Sequence, residues 1–279
     1  KDLDNKLFEI AKEKDSYHYI TKYSSTSEHP WYGWYSGNWK DYLKRSKQAL
    51  ITEFGAQALP KLESLKKIFN EDELFPDNEK KWDKWSYHNF QRHESFDLAK
   101  IKQGNNIDDF IYNTQKYQSN LIKYATESYR RQKYKPINGI FQFMFVEDWP
   151  SVNWGIIDYW REKKEGYYAL KNSYQEILPS IEFNEIDFKN GSDFKANIWI
   201  INDSNKSFEN AKLNISVKTK DKILQEKTLN VNINGDSSSN VISISQKDLD
   251  SGEYDVYAQI VDNKNNVLGS NVFIFNVHP

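Results

Sequence analysis

Three short stretches carry the residues that could do chemistry. The first, HPWYGWYSG, offers His29, Trp31 and Tyr32; the second, ALITEFGAQALP, offers Glu53 with Gln57 four residues on. The third, GIFQFMFVEDWPSVNWG, offers Glu147, Asp148 and Trp149, followed by Asn153 and Trp154. Each reads as the polar end of an apolar strand. An unpaired carboxylate is costly to bury, so Glu53, directly after Ile51 and Thr52, needs either a capping role at the next helix or an open pocket. A carboxylate facing a pocket lined by tyrosine and tryptophan suits glycoside hydrolysis. That chemistry uses one carboxylate as nucleophile or base, a second carboxyl group as acid, and flat surfaces for the sugar ring.

Alternating helices and strands must position these groups. LDNKLFEIAKEKD places Leu3, Leu7, Phe8, Ile10 and Ala11 on one helical stripe. YHYITKYS follows as a strand, and NWKDYLKRSK as a helix. ALITEFG is then a strand and ALPKLESLKKIF a helix. An aromatic insertion, WDKWSYHNFQRHESF, contains His88, which reads as a surface histidine on a segment that could overhang the site. The spacing predicts a long helix from Ile107 to Tyr129, a last strand in INGIFQFMFVEDW and a closing helix in YYALKNSYQEIL. Such alternation implies parallel strands with crossover helices. About four strand–helix units precede Pro179, whereas a closed eightfold barrel needs roughly 250 residues. The expected first domain, residues 1–180, is therefore the second half of a (β/α)8 barrel. After Pro179 the chain alternates apolar and polar residues between turn signals such as NGSD and DNKNN, as a β-sandwich does. Residues 181–279 are expected to be an immunoglobulin-like sandwich.

Composition narrows the classes. The net charge of −2 gives no basic footprint for nucleic acid. With no cysteine there is neither a disulfide framework nor a thiolate metal site. The five histidines do not fall at ligand spacing, so no metal or cofactor is expected. No apolar run is long enough for a membrane span. No signal-peptide pattern opens the sequence, which allows cytoplasmic chemistry as well as export. Aromatic residues make up 15 %, and eight of the nine tryptophans precede residue 161. They fit either a large core or a sugar-stacking cleft.

ITEFGAQALP resembles the strand-seven nucleophile motif of glycoside hydrolase family 2, and the run from Gly139 to Lys171 resembles that family's strand-eight segment. HPWYGWYSG is similar to its strand-six loop and the opening helix to the one before strand five. The likeness is strongest to the β-mannosidase and exo-β-glucosaminidase branches. It implies a retaining β-glycosidase with Glu53 as nucleophile. His29, Trp31, Tyr32, Gln57, Glu147, Asp148 and Trp154 would line the sugar site, with Trp149 stacking beneath the ring. Two departures stand out. Val146 and Glu147 replace an Asn-Asp pair of many mannosidase-like relatives. The acid/base Glu, which follows an Asn at the end of strand four, has no counterpart, because Asn70-Glu71 follows a helix and Asn184-Glu185 lies in the sandwich. The acid is thus expected upstream of Lys1, on a missing N-terminal barrel half that would be this chain's partner unless it pairs with a copy of itself. Two other readings remain: a non-catalytic carbohydrate-binding protein, and a self-sufficient hydrolase whose acid is Glu28, Glu147 or Asp148.

Overall fold

A computed structural model describes residues 1–23 and 27–279. The long helix forms as its pattern requires. α4 runs from Ile107 to Arg131, after α1 (Asp2–Lys14), α2 (Leu62–Leu65) and α3 (Glu79–Tyr87) and before α5 (Glu165–Ser173). The Asn106 side chain accepts from the Asp109 N–H at 2.9 Å and caps α4. Asp108 and Asp109 sit in its first turn and Arg130 and Arg131 in its last, each favourable to the helix dipole.

The strands ahead of the sandwich are far shorter than the apolar runs suggest. β1 (Leu50–Ile51) and β2 (Gly139–Ile140) form a two-residue parallel pair, with Ile51 opposite Ile140. Beyond it the bonding continues irregularly: Phe141 N donates to Ile51 O at 2.8 Å and Phe143 N to Phe54 O at 2.9 Å. On the other side Thr52 N donates to Glu28 O at 2.8 Å, which places the 28, 51–54 and 140–143 segments side by side. The expected strand YHYITKYS forms no ladder among the described residues, and Ser24 lies outside them. Tyr17 and Tyr19 are 94 % and 83 % exposed, and a segment with no strand beside it has nothing to hold it as a strand. α1 likewise folds but buries none of its residues.

Gly55–Pro60 is buried without a sheet partner, so its backbone groups must be satisfied otherwise. Polar side chains of α4 do this. Gln118 Nε2 donates to Ala56 O at 2.8 Å, Gln115 Nε2 to Leu59 O at 2.9 Å, and Thr114 Oγ1 accepts from Leu59 N at 3.2 Å. The aromatic insertion folds into a core of its own, where Phe69 stacks on Trp85 at 4.6 Å and Trp82 on Phe90 at 5.5 Å.

The sandwich comprises β3 (Ile177–Glu182), β4 (Asp187–Lys189), β5 (Phe194–Asn202), β6 (Phe208–Thr219), β7 (Ile223–Ile233), β8 (Ser237–Gln246), β9 (Gly252–Val261) and β10 (Val267–His278). One sheet has the order β4-β10-β9-β6-β7 and the other β3-β5-β8. Inward residues such as Phe194, Ile198, Leu213, Val256 and Phe275 fill the space between them, which is why these strands alternate so cleanly. Asn271 of β10 donates to Glu127 of α4, and Arg130 pairs with Asp203 at 2.8 Å, so the sandwich is tied to the helix by polar contacts.

Candidate active site

The turn that follows Pro30 aims one ring, the Trp31 indole, at Glu53. Trp31 takes a left-handed backbone, φ 47°, and its carbonyl accepts from the N–H groups of Trp34, Tyr35 and Ser36. A left-handed tryptophan costs of order 1–3 kcal/mol, which the surrounding bonds must offset. In return the indole reaches Glu53: Trp31 Nε1 donates to Oε2 at 3.2 Å. Trp31 also meets Tyr35 at 5.3 Å, Phe143 at 5.7 Å and Trp154 at 5.9 Å, all edge to face. The carboxylate thus stands half-buried just past β1, bonded to an indole that itself packs against three further rings. Gly55 permits this geometry, because a Cβ there would lie 2.3 Å from Phe143 O and push the two segments apart. Tyr35 and Phe143 were not singled out by sequence reasoning. Tyr35 occupies the same quoted turn as Trp31, but only the loop's closure shows that its ring returns to the site.

The other expected site residues divide. Trp154 belongs to the aromatic group, meeting Phe143 at 5.7 Å and Tyr35 at 6.4 Å. His29 is half-buried beside Glu28, whose carbonyl binds the Thr52 N–H. Tyr32 points its ring at Tyr42, 5.3 Å away, and packs against the core beside the short 3-10 helix Trp39–Leu43. Gln57 is buried and bonded within the protein: its Nε2 donates to Asn89 O at 2.8 Å and its Oε1 accepts from Gln91 N at 2.9 Å. Gln91 Oε1 in turn accepts from Trp34 Nε1 and Tyr35 Oη, at 2.8 and 2.9 Å. Gln57 therefore positions the ring of Tyr35 through Gln91 and has no face free for a ligand.

Glu147 is likewise bonded within the protein. It is 1 % exposed and lies 2.9 Å from the ammonium of Lys164, itself buried. Lys164 Nζ also donates to Ala58 O at 2.7 Å and to Asn153 O at 3.3 Å, so its three protons are spoken for. Burial pushes the Glu147 carboxyl up, and Lys164 offsets part of that shift. This ion pair fastens the loop from Glu147 to Gly155 that carries Trp154. Asp148 next to it is exposed. Trp149 stacks against His88 at 5.6 Å with an interplanar angle of 19°, and His88 Nδ1 donates to Pro150 O at 2.8 Å. His88 is thus no isolated surface residue, since it holds one face of Trp149 and docks the insertion on this loop.

Among the described residues, no group of three or more His, Asp or Glu is placed to hold a metal ion, and no helix is long and apolar enough to cross a membrane.

Residues 195–277 match the family described as Mannosidase Ig/CBM-like domain. Beta-mannosidase B of Aspergillus niger is 24 % identical over 150 residues, covering 49 % of this chain and 17 % of that protein. The Aspergillus oryzae Beta-mannosidase B is 21 % identical over 145 residues with the same coverage. Among solved structures, the β-D-mannosidase of Dictyoglomus thermophilum matches with a TM-score of 0.71 and 26 % identity over 88 % of this chain and 29 % of its own. The exo-chitosanase CsxA of Amycolatopsis orientalis shares the fold, with a TM-score of 0.62 and 15 % identity over 80 % of this chain and 27 % of its own. The chain spans about a sixth of the length of the curated relatives it matches.

Proposed function

We propose that this chain, which is similar to the C-terminal part of glycoside hydrolase family 2 proteins of the β-mannosidase kind, supplies the nucleophile half of a retaining β-glycosidase. The observation that carries the reading is Glu53, half-buried and held by an indole donor that belongs to an aromatic cluster with Phe143 and Trp154. In the proposed reaction a Glu53 oxygen attacks the anomeric carbon while an acid protonates the departing glycosidic oxygen. Water then cleaves the glycosyl ester, giving up its proton to the same acid, now a base. Trp31 fixes the attacking carboxylate, and the rings of Trp154 and Tyr35 offer apolar faces to the sugar. β-Mannosides are the first substrates to try, with β-glucosaminides and β-galactosides next. The steps need no metal or organic cofactor.

The acid is assigned to an N-terminal barrel half. Glu147 is unsuited because Lys164 occupies it. In this reading β1, β2 and the segment around Glu28 are strands of a (β/α)8 barrel whose other strands come from that half, and residues 181–279 are the sandwich that follows. The apolar groups left in water support this: Leu3, Leu7 and Ile10 of α1 are 54–66 % exposed, and Phe141 and Phe145 are 57 % and 58 % exposed. Scattered exposed apolar residues are ordinary, but a helix stripe and two phenylalanines beside a short open sheet are what a missing neighbour would cover.

The test is co-expression with the N-terminal part of a β-mannosidase-type relative, followed by a 2-fluoroglycoside inactivator and peptide mass spectrometry. The label is expected on the peptide containing Glu53, and Glu53→Gln is expected to abolish turnover with an unchanged melting profile. Label on another carboxylate, or wild-type turnover by the variant, would refute the assignment. Sugar binding with no turnover under any complementation would favour the non-catalytic reading.

A further inference from the structure

A groove of about 460 Å³ opens between α4 and the sandwich, and neither Glu53 nor Trp31, Tyr35 or Trp154 lines it. Its volume lies within the roughly 300–1,000 Å³ of small-ligand sites. Half-buried Trp39 and Phe183 give the groove its aromatic surface, backed by the buried rings of Tyr124 and Phe273. Phe183 and Phe273 stack at 3.5 Å and 17°, and Trp39 meets Tyr124 edge to face at 4.5 Å. The Tyr124 hydroxyl donates to Phe183 O at 3.0 Å, which locks that ring in place.

The charges around the groove cancel. Lys123 and Arg131 both face Glu127, a buried carboxylate that also accepts from Ser180 and Asn271. Lys116 lies over the ring of Tyr112, 5.4 Å from its centre. Asp187 and Glu253 stand on the sandwich side. Three cations thus face three anions, which gives no attraction for a strongly charged ligand. The lips carry the amides of Asn120, exposed on α4, and Asn276, half-buried on β10. Amides above an aromatic floor fit a molecule with apolar ring faces and many hydroxyl groups: rings take the C–H faces, and amides both donate to and accept from hydroxyls.

We propose that this groove is a second carbohydrate site, binding a neutral oligosaccharide apart from Glu53. The inference stands on the groove's own chemistry and does not require turnover. The test uses the full chain labelled with ¹⁵N, whose nine tryptophans give separate indole N–H signals. Trp39→Phe assigns the groove signal and Trp31→Phe the one beside Glu53. The probes are β-1,4-linked tetrasaccharides of mannose, glucose and N-acetylglucosamine, titrated to millimolar concentration. The Trp39 signal is expected to shift saturably with at least one of them. The double variant Asn120→Ala, Asn276→Ala is expected to weaken that binding at least tenfold with an unchanged melting temperature. Any sugar effect on the Trp31 signal should survive in that variant. The proposal is overturned if no probe moves the Trp39 signal, or if the double variant binds as the parent does. It is also overturned if that signal moves with protein concentration alone, which would mean that a second copy of the chain fills the groove.

Discussion

Lys164→Met is the sharpest probe of how the site is held. The substitution keeps the length of the side chain and removes the ammonium that faces Glu147 Oε1 at 2.9 Å, Ala58 O at 2.7 Å and Asn153 O at 3.3 Å. Both members of the pair are essentially inaccessible, 1 % and 0 % exposed at the side chain. Water therefore cannot replace the lost partner. Removing one partner of a buried pair costs about 3–5 kcal/mol, because the remaining charge is left uncompensated. Replacing both by apolar groups often costs little, so Glu147→Leu combined with Lys164→Met should recover most of the loss. The assay is urea unfolding at pH 7 followed by tryptophan fluorescence, with the double-mutant cycle giving the coupling. The pH dependence supplies an independent sign. Burial raises the Glu147 carboxyl in the folded protein, and in Lys164→Met the offset from the ammonium is gone. A raised folded value means the folded state holds its proton more tightly than the unfolded one, so stability is present below the unfolded carboxylate range and lost as pH rises through the folded value. The defect of Lys164→Met should therefore shrink on acidification from pH 7 towards pH 5. A single variant within about 1 kcal/mol of the parent at pH 7, or a defect that grows on acidification, would show that Glu147 is solvated and free for another role.

Two further expectations concern the helix and the nucleophile. Burial opposes ionisation of Glu127, but Lys123 and then Arg131 outweigh it and hold the carboxyl below its usual range. Its contribution to stability is present above the unfolded carboxylate range and lost as pH falls through the folded value. Glu127→Gln should consequently lower the urea midpoint at pH 7 and flatten its fall between pH 5 and pH 3; an unchanged slope would count against the network. Trp31→Phe keeps the ring and deletes the donor to Glu53. A hydrogen bond to a charged group contributes about 1.5–3 kcal/mol. The assembled enzyme should lose at least about tenfold in kcat/KM, and full activity would dismiss Trp31 as a positioning residue.

The sequence by itself determined the sandwich and the long helix. Their signals are periodic over ten or more residues, so each inward position repeats the same message, as in Phe194, Ala196 and Ile198 or in Phe273, Phe275 and Val277. It also placed Glu53 at a strand end, because a carboxylate after Ile51 and Thr52 interrupts an apolar run. Tertiary structure alone decided what each polar residue at the site does. Gln57 and Glu147 have the residue types of a sugar site, yet their partners, Gln91 and Lys164, lie 34 and 17 positions away. No local pattern announces such pairs. The same holds for Thr114, Gln115 and Gln118, whose place on the buried face of α4 makes sense only once the backbone of Gly55–Pro60, which has no sheet partner, lies against them. Strand length was also beyond sequence. A strand persists only where a neighbour supplies its hydrogen bonds, so the run Gly139–Val146 gives two ladder residues here, Gly139 and Ile140, while β10, flanked by β9 along its length, gives twelve strand residues.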